Sequence, residues 1–205
     1  MRGTDMVDAE GRKTGELPAE AFAGGLEVPK KDLTRILHRI TADDVRYVFG
    51  DSISALAQDE AGVRVEFENH PSGVYDLVVG ADGVYSTVRR LAFGPHTDFV
   101  RHLGMSGAGF TTANHLGLDH QGLLMSAPGR AVYLFSGAEP DRLTVSLSFA
   151  TDSPDIDLRD RAEQEDLVRR TFAGAGWEIP RLVKEMGEAT DFLFSSACQV
   201  EMFGG

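Results

Sequence analysis

The stretch Val74–Arg90, VYDLVVGADGVYSTVRR, decides how the rest of the chain is read. Its apolar run, Leu77-Val78-Val79, stops at Gly80-Ala81-Asp82-Gly83, and a polar step leads to Ser86-Thr87-Val88-Arg89-Arg90. A short β-branched run is what a strand buried on both faces requires. Asp-Gly turns the chain where glycine accepts a positive φ at little cost. Ser86 is suited to cap a helix N-terminus, with a cationic pair one turn further on. The expected local structure is strand, tight turn, helix, with a carboxylate and bare backbone N–H groups at the strand end. In open α/β sheets that end is where nucleotide-like ligands bind.

These residues resemble a known family. Asp82-Gly83, Ser86 and Arg89 are similar to the "DG" motif of FAD-dependent monooxygenases of the aromatic-hydroxylase type. Leu26 to Ile40, LEVPKKDLTRILHRI, resembles that family's E-I-P-R-x-D-L-x-R-I-L helix. Arg90 to Gly104 resembles the hinge into its substrate domain, and Ser195 to Met202 the lead-in to its last flavin-binding segment. The family's opening GxGxxG helix has no counterpart here. The nearest strings, Gly107-Ala108-Gly109 and Gly174-Ala175-Gly176, do not join an apolar strand to a helix with a third glycine in place, and read as ordinary turns. The closing G-D-A-A-H type segment is absent too, since the sequence ends at Phe203-Gly204-Gly205. The expectation is the central portion of a larger enzyme, binding FAD weakly or not at all by itself and leaving a sheet edge unpaired.

Composition narrows the classes. A chain of 205 residues with 42% hydrophobic residues can build a packed core. With 32 acidic and 20 basic residues it carries −12, which argues against nucleic acid or an anionic membrane as partner. One cysteine, Cys198, builds no disulfide framework and fits a reducing cytoplasmic setting. The N-terminal MRGTDMVDAEGRK has no apolar core of a signal peptide, and no run approaches membrane-spanning length.

Along the chain, residues 1 to 28 are polar and glycine-rich and read as irregular or as one weak hairpin. Pro29 leads into a helix whose Leu33, Ile36, Leu37 and Ile40 recur at i, i+3, i+4, i+7. Strands are expected at 46–49, 52–58 and 63–68, the last alternating apolar and charged residues, and then at 75–79. After Gly94-Pro95 longer strands appear, at 99–112, 122–127, 131–136 and 142–150, as in a mainly antiparallel sheet. Helices follow over about 159–172 and around Ile179, Leu182, Val183 and Met186, then a strand over 191–200. The fold class is α/β (α+β): a partial doubly wound FAD/NAD(P)-binding domain over 1–94, then a sheet-and-helix substrate domain over 95–205 whose end returns toward the first.

Candidate site residues follow. Asp82 and Gly83 are the first choice for cofactor contact, because turn N–H groups can approach a pyrophosphate and the carboxylate can accept from ribose. The alternative is an Asp-Gly turn that merely starts a helix. Arg89 matches the motif's arginine, either pairing with Asp82 or meeting phosphate; Arg90 reads as a solvated cation. Lys30 stands where the family has an arginine beside the flavin, with Lys31 as neighbour; a lysine keeps the charge and loses the planar fork. His115, His120 and Asp119 cluster without a zinc spacing, so no metal site is assigned. Phe110, Met125, Tyr133, Phe135 and Phe149 are candidates for a substrate wall or, for most of them, sheet core, and His102 for a polar contact.

No Ser-His-Asp order or GxSxG elbow is present, and no catalytic side chain is assigned. The resemblance implies an oxidoreductase whose flavin, reduced by NAD(P)H, activates O2 and hydroxylates an aromatic or polyketide-like small molecule. The alternatives are a non-catalytic remnant or small-molecule-binding module of the same fold, or a related flavin-dependent reductase or halogenase.

Overall fold

A computed structural model describes residues 2–22, 28, 30–137, 139–152 and 160–202. In chain order the strands and helices begin with β1 Gly3–Val7, β2 Lys13–Pro18, α1 Lys30–Thr41, β3 Ile53–Asp59, β4 Gly62–Phe67, β5 Gly73–Tyr75 and α2 Thr87–Phe93. They continue with β6 Val100–Ala113, β7 Gly122–Ala127, β8 Arg130–Phe135, β9 Arg142–Ala150, α3 Arg161–Thr171, α4 Ile179–Glu188 and β10 Leu193–Val200. Two compact units result: Met1–Gly24 with His102–Ala197, and Gly25–Arg101 with Cys198–Gly205. The first 24 residues thus join the sheet-and-helix unit, and the changeover lies near residue 101, whereas the sequence suggested a single boundary near 94.

The first unit is built on a seven-stranded sheet in the order β10-β6-β9-β8-β7-β1-β2. All its pairs with a described register are antiparallel except β1 with β7, which run parallel. Period-2 side-chain alternation explains its layering. On β9, Leu143, Val145, Leu147 and Phe149 are at most 2% exposed, while Thr144, Ser146 and Ser148 between them are half-buried. The buried row meets α4, whose Ile179, Leu182 and Met186 fall on one helical stripe and are sealed from solvent. Helix α3 begins where Asp160 accepts the N–H groups of Ala162 and Glu163, and contributes Val168 to the same core. Burying each such side chain stabilises the unit by about 1.5–3 kcal/mol.

Gly107-Ala108-Gly109 is not a turn but the middle of β6. A Cβ on Gly107 would come within 2.7 Å of the Leu147 carbonyl oxygen, so close strand approach selects the glycine. The loop after α3 carries Gly174-Ala175-Gly176, and Trp177 sits in the turn before α4 with φ 55°.

The second unit holds a small antiparallel sheet, β3-β4-β5. Val65 is its one fully buried large hydrophobic side chain among the described residues. The apolar stripe of α1 forms as the spacing requires but lies open: Leu33, Ile36, Leu37 and Ile40 are all exposed. The strand expected at 46–49 is absent; Tyr47 and Phe49 instead stack on each other and meet the His38 ring of α1 at a tilt. The buried strand expected over 75–79 is also absent. Pairing ends at Tyr75, and Leu77 and Val79 are each 75% exposed. The reason is local: among the described residues no strand lies beside them, and a strand buried on both faces needs neighbours on both. Pro29, the start of the Leu26–Ile40 stretch, Arg159 and Phe203-Gly204-Gly205 lie outside the described residues. Among the described residues no helix is long and apolar enough to cross a membrane.

Candidate cofactor site at the Asp-Gly turn

Gly83 takes φ 84°, a left-handed conformation that glycine enters without Cβ strain, and this bends the chain between Asp82 and Ser86. Gly80 is fixed by packing instead: a Cβ there would lie 2.9 Å from Cβ of Val88, so its absence lets the turn lie against α2. The sequence's expectation of a capping serine holds. Ser86 Oγ accepts the Arg89 N–H at 2.9 Å, and the Ser86 carbonyl accepts that of Arg90 at 3.2 Å.

The expectation of bare N–H groups does not hold. Asp82 Oδ2 accepts the N–H groups of Thr87 at 2.7 Å and Val88 at 3.1 Å, and Oδ1 accepts the Ser86 hydroxyl. The carboxylate therefore fills the helix terminus that an external anion would have used; a side-chain anion one turn away wins by being tethered. Partial burial pushes the Asp82 carboxyl up, but the hydrogen bonds from Ser86, Val88, its own N–H and Thr87 outweigh it and hold the group below the usual carboxylate value.

Arg89 is where the turn keeps unspent donor capacity. It is 8% exposed, unlike Arg90, which is exposed. Its terminal Nη2 donates to the Val84 carbonyl and lies 3.2 Å from His96 Nδ1. The Arg89 Nε is buried with no partner among the described residues. A buried donor left unmade costs about 1–3 kcal/mol, more on a charged group. So Arg89 meets neither Asp82 nor solvent. It lines a cavity of about 620 Å³ with Gly80, Gly83 and Ser86 and an apolar wall including Val78 and Val88. Lys30, first residue of α1, is exposed and is not among the residues lining that cavity. The partners of Arg89 were not found from sequence: Val84 acts through its backbone, and His96 follows a Gly-Pro break that hides its return.

The substrate-wall candidates separate cleanly in the first unit. Phe110, Met125 and Phe149 point into the core under the helices. Tyr133 and Phe135 alternate with the buried Val132 and Leu134, stand half-buried on the opposite face and stack on each other. His102 turns inward on its own strand, its Nδ1 accepting the Gly104 N–H. Of the histidine cluster, His115 reaches Glu178 at 2.8 Å and His120 lies 3.9 Å from Asp119.

No family model matches the chain. A flavin-dependent monooxygenase of Legionella longbeachae is 34% identical to it, across 96% of this chain and 51% of that protein. This chain is a homologue of the flavin-dependent monooxygenases. The solved tetracycline destructase Tet(51) superposes with a TM-score of 0.85 at 30% identity, covering 98% of this chain and 52% of that one. Klebsiella pneumoniae HpxO, solved with FAD and uric acid, shares the fold, with a TM-score of 0.65 at 21% identity over 99% of this chain and 53% of its own. The chain spans about half the length of the curated relatives it matches. The fold class read from the sequence, a mixed α/β fold of FAD-binding monooxygenases, agrees with these neighbours.

Proposed function

We propose that the chain carries part of an FAD-dependent monooxygenase that hydroxylates an aromatic or polyketide-like small molecule at the expense of NAD(P)H and O2. The homology supports the reaction class, and one observation in the chain supports the cofactor. Arg89 lines a cavity of about 620 Å³ and keeps a buried Nε–H that has no partner among the described residues. A planar cationic donor beside a cleft suits a phosphate oxygen. When bound, FAD supplies the oxygen-activating redox chemistry. The chain's own residues do the rest. Asp82 and Ser86 fix the turn, Gly83 lets the backbone bend, and Arg89 offers the charge-assisted contact. Val78 and Val88 give the cleft part of its apolar wall. The second unit is the cofactor-binding part in this reading, and the first supplies the substrate wall. Lys30 serves at most as a peripheral cation.

The test is a flavin-fluorescence titration of the purified chain. Weak, saturable binding is expected, with half-saturation at roughly 0.1–1 mM, that Arg89→Met abolishes and Arg90→Met leaves unchanged. Equal titration curves for Arg89→Met and the unsubstituted chain would remove the assignment.

A further inference from the structure

The Arg89 guanidinium is not free to turn. Its Nη2 carries two hydrogens and meets two acceptors, the Val84 carbonyl oxygen and His96 Nδ1, the latter at 3.2 Å. The two acceptors differ: a carbonyl accepts at every pH, whereas a ring nitrogen accepts only while it is bare. Arginine has no acceptor and keeps its charge in proteins, so in this pair it must be the donor. The contact therefore fixes the state of the His96 ring as neutral, with its proton on Nε2. Backbone geometry sets where that ring stands. Gly94 at φ 122° and Pro95 at φ −65° turn the chain after α2, and the 3-10 turn His96–Asp98 closes with the Phe99 N–H on the His96 carbonyl at 3.0 Å. Arg89 of α2 and Tyr85 of the preceding turn face the half-buried ring, Tyr85 edge-on at 6.1 Å between centroids. Asp98, on the same 3-10 turn, accepts from the Thr97 hydroxyl at 3.4 Å. His96 is not among the residues lining the cavity, so it acts on the site through Arg89.

We propose that His96 is a positioning residue for the cofactor: neutral, it holds the Arg89 guanidinium with the Nε–H left for a phosphate oxygen, and its protonation in acid releases Arg89 and weakens the site. This rests on Arg89 being the FAD contact. An imidazolium donates from both nitrogens, so the Nδ1 acceptor vanishes and two cations face each other at hydrogen-bond distance. Histidine is the side chain whose charge changes between about pH 5 and 8. The direction of the effect separates this device from general electrostatics. The chain carries −12, and acid makes it less negative, which by itself tightens its hold on an anionic dinucleotide as pH falls. Release of Arg89 does the opposite.

Two measurements on the purified 205-residue chain test the device. Without FAD, the ring ¹⁵N shifts of His96 at about pH 7.5 report the tautomer. Nε2–H with a bare Nδ1 is expected, and Nδ1–H overturns the proposal. A flavin-fluorescence titration then compares FAD affinity at about pH 7.5 and about pH 5.5. The unsubstituted chain binds roughly five-fold more weakly at the lower pH. His96→Leu is weakened by about the same factor at both. His96→Asn, whose amide oxygen stands in for Nδ1 without titrating, recovers most of that loss and flattens the pH dependence. Acid effects elsewhere in the chain appear equally in this variant, which isolates the His96 contribution. Equal or tighter binding in acid, or a pH dependence that survives in His96→Asn, overturns the role of His96 and leaves an Arg89-dependent FAD site standing. A folded chain that binds no FAD at either pH sinks the cofactor assignment, and the role of His96 with it.

Discussion

Removing the Ser86 hydroxyl should unravel the start of α2 without disturbing the rest of the chain. Ser86 is 6% exposed, and its oxygen holds the Arg89 N–H while its proton binds Asp82. Loss of a serine cap costs about 0.5–2 kcal/mol. The upper part of that range is expected here, because Asp82 loses a donor as well and its grip on Thr87 and Val88 loosens. Asp82→Ala frees the Thr87 and Val88 N–H groups and costs about 1 kcal/mol, and the double variant costs less than the sum because the two share one network. Asp82 also sets a pH dependence. Its folded carboxyl titrates below its ordinary value of 3.8, so its stabilisation is fully present above about pH 4 and is lost as pH falls through the lowered folded value. Amide hydrogen exchange at residues 87–90 reads these effects locally. Ser86→Ala should speed exchange there by about ten-fold or more, and Asp82→Asn should flatten the acid-side change. Unchanged protection in Ser86→Ala, or an acid-side slope that survives Asp82→Asn, would refute the capping network.

Three further outcomes test the packing. Leu182→Ala opens a cavity beside fully buried neighbours and should cost about 2–5 kcal/mol in a denaturant melt, whereas Leu37→Ala on exposed α1 should stay within about 0.5 kcal/mol. Gly122→Ala forces a methyl group against Thr4 and Tyr133 and should cost about 1–3 kcal/mol, detected as a lowered calorimetric melting temperature. Leu77→Ser with Val79→Ser should leave stability within about 1 kcal/mol and raise solubility; a larger loss by chemical denaturation would show these residues to be core.

Much of the first unit was legible because its strands obey a local rule. The segments 122–127 and 142–150 formed as their composition and turn signals required, and the α4 stripe formed at its spacing. Alternation separates two faces but does not say which one lies under helices, so Phe149 and Tyr133 could not be told apart until pairing was known. The parallel β1–β7 pair joins segments more than a hundred residues apart, which no local pattern encodes. Glycine misled at 107–109, where it answers the close approach of Leu147 rather than a turn. The apolar run 77–79 misled for the opposite reason: burial is a property of neighbours, and the described residues supply no strand there. At the site, Ser86 and Asp82 were recognisable from spacing, but Asp82 spends both its oxygens on its own helix. The weight of the cofactor reading thereby moved to Arg89.

The most direct measurement follows the side-chain Nε–H resonance of Arg89 in ¹⁵N-labelled chain while FAD is added. Engagement by a phosphate oxygen should move that cross-peak progressively with FAD concentration and slow its exchange with water, leaving Arg90 unaffected. An Arg89 signal that stays fixed while the flavin binds would contradict the proposed cofactor site.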